Sequence, residues 1–305
     1  MNIYNPGPLA EDPLVTRANI MFGMVLLVAA GLFWKSLASL VAYSLNNESC
    51  SHIVLIPFVS AYLLFVERKR IFETVQRSVA AGIGFIAIGV FFYWLGATNP
   101  FSLQANGPLS ISALAFVIVC LGGFLASYGF SATRAALFPL LFLLLIVPIP
   151  DAALAWIIHL LQQGSTDLTC VLFKMVGVPY LRQGFVLALP SVTIEVAAEC
   201  SGIRSSIALF ITCLLVAHLY LRTPWKILVF LLLVFPLTVV KNAVRIVTLT
   251  LLSIYVDPGF LHGRLHHQGG IVFFLMSLLL LLPVFLALER SEPKSAARTV
   301  GHPAG

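Results

Sequence analysis

Long apolar runs separated by short polar segments dominate this chain. A helix that crosses a bilayer needs about 20 mostly apolar residues, and eight runs approach or exceed that length. The pattern predicts an all-α integral membrane protein, a bundle of about eight transmembrane helices. The second and fifth runs are the shortest. The predicted spans are 18–43, 52–66, 79–96, 109–129, 133–150, 201–221, 226–252 and 269–288.

The composition supports the same class. Hydrophobic residues make up 60% of the 305 residues and charged residues only 10%, whereas a soluble domain carries about 25% charged residues. The first apolar run is too long for the core of a signal peptide, so we predict an uncleaved first span. We expect one polytopic membrane domain over 1–305, with tails at 1–16 and 289–305.

Positive charge predicts the orientation, because cytoplasmic loops are enriched in Lys and Arg. Eleven of the 18 Lys and Arg residues fall on one side of the eight-span arrangement. We therefore predict a multi-pass protein of the cytoplasmic (inner) membrane with both termini in the cytoplasm. The net charge of +6 reflects this bias, and no nucleic-acid partner is expected. The loops predicted to face outward are 44–51, 97–108, 151–200 and 253–268.

The outward segment 151–200 has two parts. Asp151–Val176 has helical character but carries too many polar residues for a span, which favours a short extracytoplasmic interfacial or re-entrant helix. Phe185–Leu189 and Val192–Val196 are β-prone and flank a Pro190–Ser191 turn. The sequence therefore predicts a β-hairpin that leads to Cys200.

Three reactive side chains are predicted to meet at the outer rim of the bundle. Cys200 and Arg245 lie at nearly equal sequence distances from the turn at Leu221–Trp225. Two helices joined there rise by about 1.5 Å per residue, so both side chains are expected at similar depth. His266 stands just ahead of the last span, on the same face.

These residue types suit acyl transfer. A helix start and a nearby guanidinium favour the thiolate of a cysteine such as Cys200. Arg245, together with the backbone N–H groups of Gly202 and Ile203, can stabilise a developing oxyanion. His266 titrates near neutrality and can take or give a proton.

The sequence leaves alternatives for the cation and for the acid/base residue. Arg204 follows Cys200 by one helical turn and is an alternative charge partner, and His262 and His267 compete with His266. Pairing with a carboxylate would give Arg245 a purely structural role. The candidate carboxylates are Glu195, Glu199 and Asp257.

The cysteines and the polar residues also allow two alternative functions. Cys120 and Cys213 fall inside spans and are interpreted as apolar fillers, whereas Cys50, Cys170 and Cys200 lie on the outer face. A membrane thiol oxidoreductase using Cys50 and Cys200 is one alternative, although no C-x-x-C pair is present. A transporter is another, although the polar residues gather at one face rather than at the midplane. No metal-ligand spacing is present, and we expect no metal and no cofactor.

At these residues the chain resembles the exosortase/archaeosortase family of membrane-embedded cysteine transpeptidases. Four motifs occur in order between about 45 and 280. A family Ser-His pair matches Ser51-His52, directly before an apolar run. The other motifs read Cys200-Ser201-Gly202-Ile203-Arg204, Asn242-Ala243-Val244-Arg245-Ile246, and His266 followed by Gly270 and Phe274.

The resemblance implies an activity and partners. Such enzymes cleave the C-terminal sorting signals of membrane-tethered exported proteins, each signal being a motif, an apolar span and a basic cluster. They transfer the acyl group to a surface acceptor, a lipid or glycan, at the outer face of the lipid bilayer. The sorting motif and the acceptor are not identified by the sequence.

The resemblance also implies residue roles. Cys200 would be the nucleophile, Arg245 the stabiliser of the tetrahedral intermediate, and His266 the acid/base, because His267 does not fit the family spacing. One departure is Glu199, whose charge opposes formation of the thiolate. Residues expected to bind substrate or hold the catalytic groups in place are Ser51, His52, Glu199, Arg204, Asn242 and Gly270; Glu195 and Lys241 are expected to act similarly.

Overall fold

The computed structural model describes residues 13–99, 106–197, 202–261 and 270–292. Within these ranges the chain is helical apart from turns and one small sheet, which confirms the predicted all-α membrane class. Contacts divide the chain into two compact units, Met1–Leu154 and Ala155–Gly305. The single domain inferred from the sequence stays a prediction.

The first unit is built from helices joined by short turns. Phe33 separates the first two, so the first predicted span consists of two consecutive helices. Short 3₁₀ turns occupy Glu48–Cys50 and Leu143–Ile146. The helices are α1 (Pro13–Leu32), α2 (Trp34–Asn46), α3 (Ile56–Val66), α4 (Arg68–Ile71), α5 (Val79–Thr98), α6 (Gly107–Ala135) and α7 (Leu137–Phe142).

Glycines allow α5 and α6 to pack closely. Gly82, Gly89 and Gly96 recur every seventh residue, which places them on one face of α5. A Cβ added to Gly82 would lie 2.4 Å from the Cβ of Ala126, and one added to Gly89 would lie 2.6 Å from Cγ2 of Val119. Lipid provides no hydrophobic force between helices, so close approach of small residues is what stabilises such pairs.

The starts of α6 and of the next helix, α8 (Asp151–Val176), cap each other. The Asn106 N–H donates to Oδ2 of Asp151 at 3.2 Å, and the Asp151 N–H donates to Oδ1 of Asn106 at 3.0 Å. The Asn106 amide also donates to the Ile149 carbonyl and to the Tyr43 hydroxyl. N–H groups at a helix start have no partner within the helix, and this exchange supplies one for both helices.

The bounds of α8 match the helix predicted for Asp151–Val176. The chain bends by 91° between Leu137–Ile146 and α8, a geometry typical of a broken span or a re-entrant loop. Pro148 and Pro150 lie at the break, and proline has no N–H to continue a helix.

The second unit continues from α8 into a small sheet and three long helices. Its sheet is antiparallel with the order β1-β2-β3. A 3₁₀ turn occupies Pro258–Leu261. The remaining elements are β1 (Leu181–Gln183), β2 (Val186–Ala188), β3 (Thr193–Glu195), α9 (Ile203–Tyr220), α10 (Pro224–Tyr255) and α11 (Gly270–Arg290).

The predicted β-hairpin is confirmed, with a third strand added. Leu187 pairs with Ile194, and the Leu189 N–H donates to the Val192 carbonyl at 2.9 Å. β1 was not predicted; it pairs with β2 through a tight turn at Gly184, where φ is +62°. Glycine adopts such a positive φ without steric cost.

Glu292 ties the end of α11 to the start of α10. Its carboxylate accepts the N–H groups of Arg222 and Thr223, both at 3.2 Å, and the Thr223 hydroxyl at 2.8 Å. The ammonium of the buried Lys226 is 3.7 Å away. Burial alone raises the pKa of a carboxyl, but these hydrogen bonds and the nearby cation outweigh it and lower the pKa of Glu292 below its ordinary value.

Fewer helices than predicted are long enough to cross a membrane by themselves. In the described ranges six helices are long and apolar enough, or seven if the bent pair at Leu137–Val176 is one span. The predicted spans 52–66 and 133–150 correspond to α3, which has 11 residues, and to α7 with its 3₁₀ turn. The count of eight is therefore not confirmed.

Candidate active site

The hairpin formed by α9 and α10 brings two of the family-like motifs together. The turn Leu221–Thr223 joins the helices, as the sequence predicted. A Cβ added to Gly202, directly before α9, would lie 3.3 Å from Oδ1 of Asn242 and 3.6 Å from Nζ of Lys241. The start of α9 therefore lies against the part of α10 that carries the Asn242–Ile246 motif.

Gly202 has a backbone conformation that suits this close approach. Its φ is +76°, a left-handed value that glycine adopts without strain. Its carbonyl accepts the Ser206 N–H at 3.0 Å and the hydroxyls of Ser205 and Ser206 at 3.0 and 2.6 Å. The small residues of this segment thus form a compact first turn against α10.

Two buried polar side chains of α10 bind the neighbouring helices. Lys241, only 2% exposed, donates from Nζ to Oγ of Ser205 on α9 at 2.5 Å. The fully buried Asn242 donates from Nδ2 to Oγ of Ser165 on α8 at 3.1 Å. Polar groups buried in an apolar region require such partners, and these two side chains join α8, α9 and α10 at one level.

The two candidate guanidinium groups differ in burial. Arg245 follows Lys241 by four residues, so both lie on one face of α10, and it is partly buried. Arg204 lies in the first turn of α9 and is exposed. A partly buried arginine within a membrane helix is expensive and typically functional, which favours Arg245 as the cation of the site.

The sheet and α8 hold the segment that leads to the site. The Val196 N–H donates to the Phe185 carbonyl at 3.0 Å, and the Val196 carbonyl accepts from Nε2 of Gln162 on α8 at 2.7 Å. Leu187 of β2 is fully buried in a cluster with Phe173 of α8 and Val247 of α10. The chain just before the Cys200 motif is therefore fixed to both helices.

Several predicted site residues lie outside the described residues. These are Glu199, Cys200 and His266, so their predicted roles stay predictions. Gly270 begins α11. Ser51 and His52 belong to the first unit, where they form part of the turn before α3.

The structure adds residues to which the sequence assigned no specific role. Lys241 was expected to bind substrate or to hold the catalytic groups in place, and Ser165 and Ser205 were not singled out. A lysine within a 32-residue apolar helix is itself a signal of function, because burial of a charge in a membrane is costly. The two serines gave no comparable signal, since serine is common in membrane helices.

The burial of Cys50 is relevant to the oxidoreductase alternative, in which Cys50 and Cys200 would be the redox-active thiols. Cys50 is a buried free thiol, and the Ser44 hydroxyl donates to its carbonyl at 2.8 Å. A redox-active thiol is usually accessible and electropositive in its surroundings. The environment of Cys50 therefore does not favour that alternative.

Comparison with known proteins supplies the family. Neither the curated proteins nor the solved structures include a match to this chain. The family model described as transmembrane exosortase matches residues 34–283, which includes all four motifs and most of the elements described above. This chain therefore belongs to the transmembrane exosortase family.

Proposed function

We propose that this protein is a cysteine protease/transpeptidase that cleaves the C-terminal sorting signals of exported proteins and transfers the acyl group to a surface acceptor. The reaction takes place at the outer face of the cytoplasmic membrane, with both termini in the cytoplasm. The observation that carries the proposal is the contact of Gly202 with Lys241 and Asn242. It joins the motif of the proposed nucleophile to that of the proposed oxyanion stabiliser.

Chain connectivity supports the assignment of the nucleophile and the cation. Cys200 precedes Gly202 by two residues, and each trans peptide advances the chain by about 3.8 Å at most. Arg245 is less than one helical turn beyond Asn242. Both side chains therefore belong to residues close in sequence to the observed contact.

In the proposed reaction the Cys200 thiolate attacks the carbonyl carbon of the scissile peptide bond. The new C–S bond gives a tetrahedral oxyanion, which Arg245 stabilises through its permanent charge. His266 donates a proton to the amine as the C–N bond breaks, leaving a thioester. The acceptor hydroxyl or amine, or water, then loses a proton to His266 and attacks the thioester, which releases the Cys200 thiolate.

Cleavage of a tethered reporter tests the proposal. The probe is an exported reporter fused to the C-terminal tail of a secreted protein of the same organism, a tail with a motif, an apolar span and a basic cluster. We expect Cys200→Ala, Arg245→Ala and His266→Ala each to abolish the shift of the reporter on a denaturing gel, while the variants still appear in the membrane fraction.

Matched controls separate chemistry from folding. Cys213→Ala removes a buried thiol of α9, and His267→Ala removes the neighbouring imidazole. Both are expected to process the reporter. Arg204→Ala compares the second guanidinium with Arg245. Normal processing by Cys200→Ala would refute the proposed function.

A further inference from the structure

Lys241 is a buried cation that the proposed reaction does not yet use. Its side chain is 2% exposed. In the described part of the chain, Ser205 Oγ is the acceptor of its ammonium and no carboxylate lies within ion-pair distance. An ammonium has three N–H donors, and burial of a charged group within a membrane helix is strongly unfavourable. Ser205 uses one of the three N–H donors of Lys241, so the ammonium can also interact with a further acceptor or anion.

Ser205 links the Lys241 ammonium to the start of α9 through two hydrogen bonds. Its hydroxyl accepts from Nζ of Lys241 at 2.5 Å and donates to the Gly202 carbonyl at 3.0 Å. The same ammonium lies 3.6 Å from the place where a Gly202 Cβ would be. The cation is therefore fixed beside the first turn of α9 and not free to move away from it.

The elements that lead to this turn or pack against it carry charges of both signs. Arg245 on α10 and Arg204 on α9 are positive, Glu195 on β3 is negative, and Glu199 adds a negative charge next to Cys200 in the sequence. On α8 the neutral Ser165 binds Asn242 of α10, whereas Asp167 pairs with Arg182 of β1. The described part of α11 carries no charged residue before Glu289. Lys241 therefore places a positive charge beside the turn that directly follows the Cys200 segment, in which Glu199 is the acidic neighbour of Cys200 in the sequence.

We propose that Lys241 is a positioning residue whose ammonium, held by Ser205 against the first turn of α9, favours the thiolate of Cys200. This inference rests on the proposed function, because Cys200 is the nucleophile only there. Under this inference the two cations have separate roles. Arg245 stabilises the oxyanion of the intermediate, and Lys241 stabilises the resting thiolate against Glu199.

The rate of Cys200 alkylation as a function of pH tests the inference. The full-length protein in detergent is treated with iodoacetamide, and the Cys200 peptide is quantified by mass spectrometry. A cation a few ångströms from a thiol lowers its apparent pKa by about one unit or more. We therefore expect Lys241→Met to move the midpoint of the alkylation profile upward by about one pH unit, and Lys241→Arg to remain near wild type.

Two further variants separate charge from structure. Lys241→Gln loses the charge but keeps N–H donors for Ser205, so it is expected to shift the midpoint as Lys241→Met does, even if Lys241→Met folds poorly. Ser205→Ala keeps the ammonium but removes its anchor, and is expected to slow reporter processing with a smaller midpoint shift. A wild-type midpoint in folded Lys241→Gln would overturn the inference.

Different results would refute the role of Lys241 and the proposed function. Alkylation needs no substrate, so it reports on Lys241 whether or not the reporter is a true substrate. If Lys241→Gln keeps both the midpoint and processing while Cys200→Ala loses processing, the role of Lys241 is refuted and the proposed function stands. Processing by Cys200→Ala refutes both.

Discussion

Gly202 and Asn242, forty residues apart in the sequence, lie against each other across the α9–α10 hairpin. A Cβ on Gly202 would be 3.3 Å from Oδ1 of Asn242. That separation leaves no ordinary van der Waals space for a larger residue at position 202. The contact therefore requires glycine for two reasons, the room available and the positive φ.

The first prediction concerns Gly202→Ala. The left-handed backbone costs alanine roughly 1 kcal/mol, and the added Cβ must displace Asn242 or Lys241. Displacement of catalytic groups by about 1 Å can slow a reaction on the order of 10²-fold. We expect a loss of this size in reporter processing, with a modest fall in melting temperature.

Gly177→Ala is the matched control for Gly202→Ala. Gly177 has the same φ of +76°, but a Cβ there would meet nothing within 4 Å. It should show the loss of stability without the loss of processing. Equal processing by the two variants would show that crowding at Gly202 does not matter.

The second prediction concerns the α5–α6 contact. In Gly82→Ala the Cβ would lie 2.4 Å from the Cβ and 2.6 Å from the Cα of Ala126, so the helices must separate. Overpacking of this kind costs roughly 1–3 kcal/mol. Gly84→Ala, two residues away with nothing within 4 Å, should be neutral or slightly stabilising. Thermal unfolding in detergent distinguishes the two, and equal melting temperatures would contradict the close packing.

The third prediction concerns Glu292 and pH. Its folded-state pKa is lowered, so its contribution to stability is present above the pKa of the unfolded chain and is lost as pH falls through the folded-state pKa. We expect Glu292→Gln to be less stable than wild type at neutral pH, by about 1 kcal/mol for a lost helix cap.

The difference between Glu292→Gln and wild type should shrink as the pH falls through the lowered pKa of the folded Glu292 carboxyl, because the wild-type side chain then loses its charge. Glu289→Gln is the control, because that side chain makes no hydrogen bond to the described residues. Unfolding free energies at neutral pH and at a series of acidic pH values provide the test, and a difference that stays constant with pH would show that the Glu292 charge contributes nothing.

The fourth prediction concerns the mutual capping of α6 and α8. Asn106→Ala removes the acceptor of the Asp151 N–H and the donor to Ile149 and Tyr43, which should cost about 2–3 kcal/mol. Asn46→Ala removes one exposed bond, from Nδ2 to the Ala42 carbonyl, and should cost under about 0.5 kcal/mol. A similar loss in both variants would argue against the capping role.

The sequence predicted those features that repeat over many residues. The apolar runs predicted α5, α6, α9, α10 and α11, because each run is long enough to fix a helix by itself. The α9 start and the family motif on α10 lie at nearly equal sequence distances from the turn Leu221–Thr223. Because both helices rise by the same distance per residue, the sequence predicted that they lie at the same depth. The alternation around Pro190–Ser191 predicted the β2–β3 hairpin.

Features that depend on few residues or on tertiary contacts were not predicted. β1 has three residues, too few for a recognisable alternation. The Lys241–Ser205 bond requires that two helix faces meet, and an apolar helix gives little periodic signal for its rotation. The count of eight spans is not confirmed at α3, because an 11-residue helix and a longer apolar run look alike until the helix bounds are known.

The cap provided by Glu292 also sets an order of assembly. The carboxylate lies 70 residues after the Arg222 N–H that it binds. A chain is synthesised from its N-terminus, so α9 and α10 leave the ribosome before their cap exists. The turn between them can therefore acquire this cap only after α11 and Glu292 have been synthesised, so the α9–α10 hairpin forms first and is stabilised later.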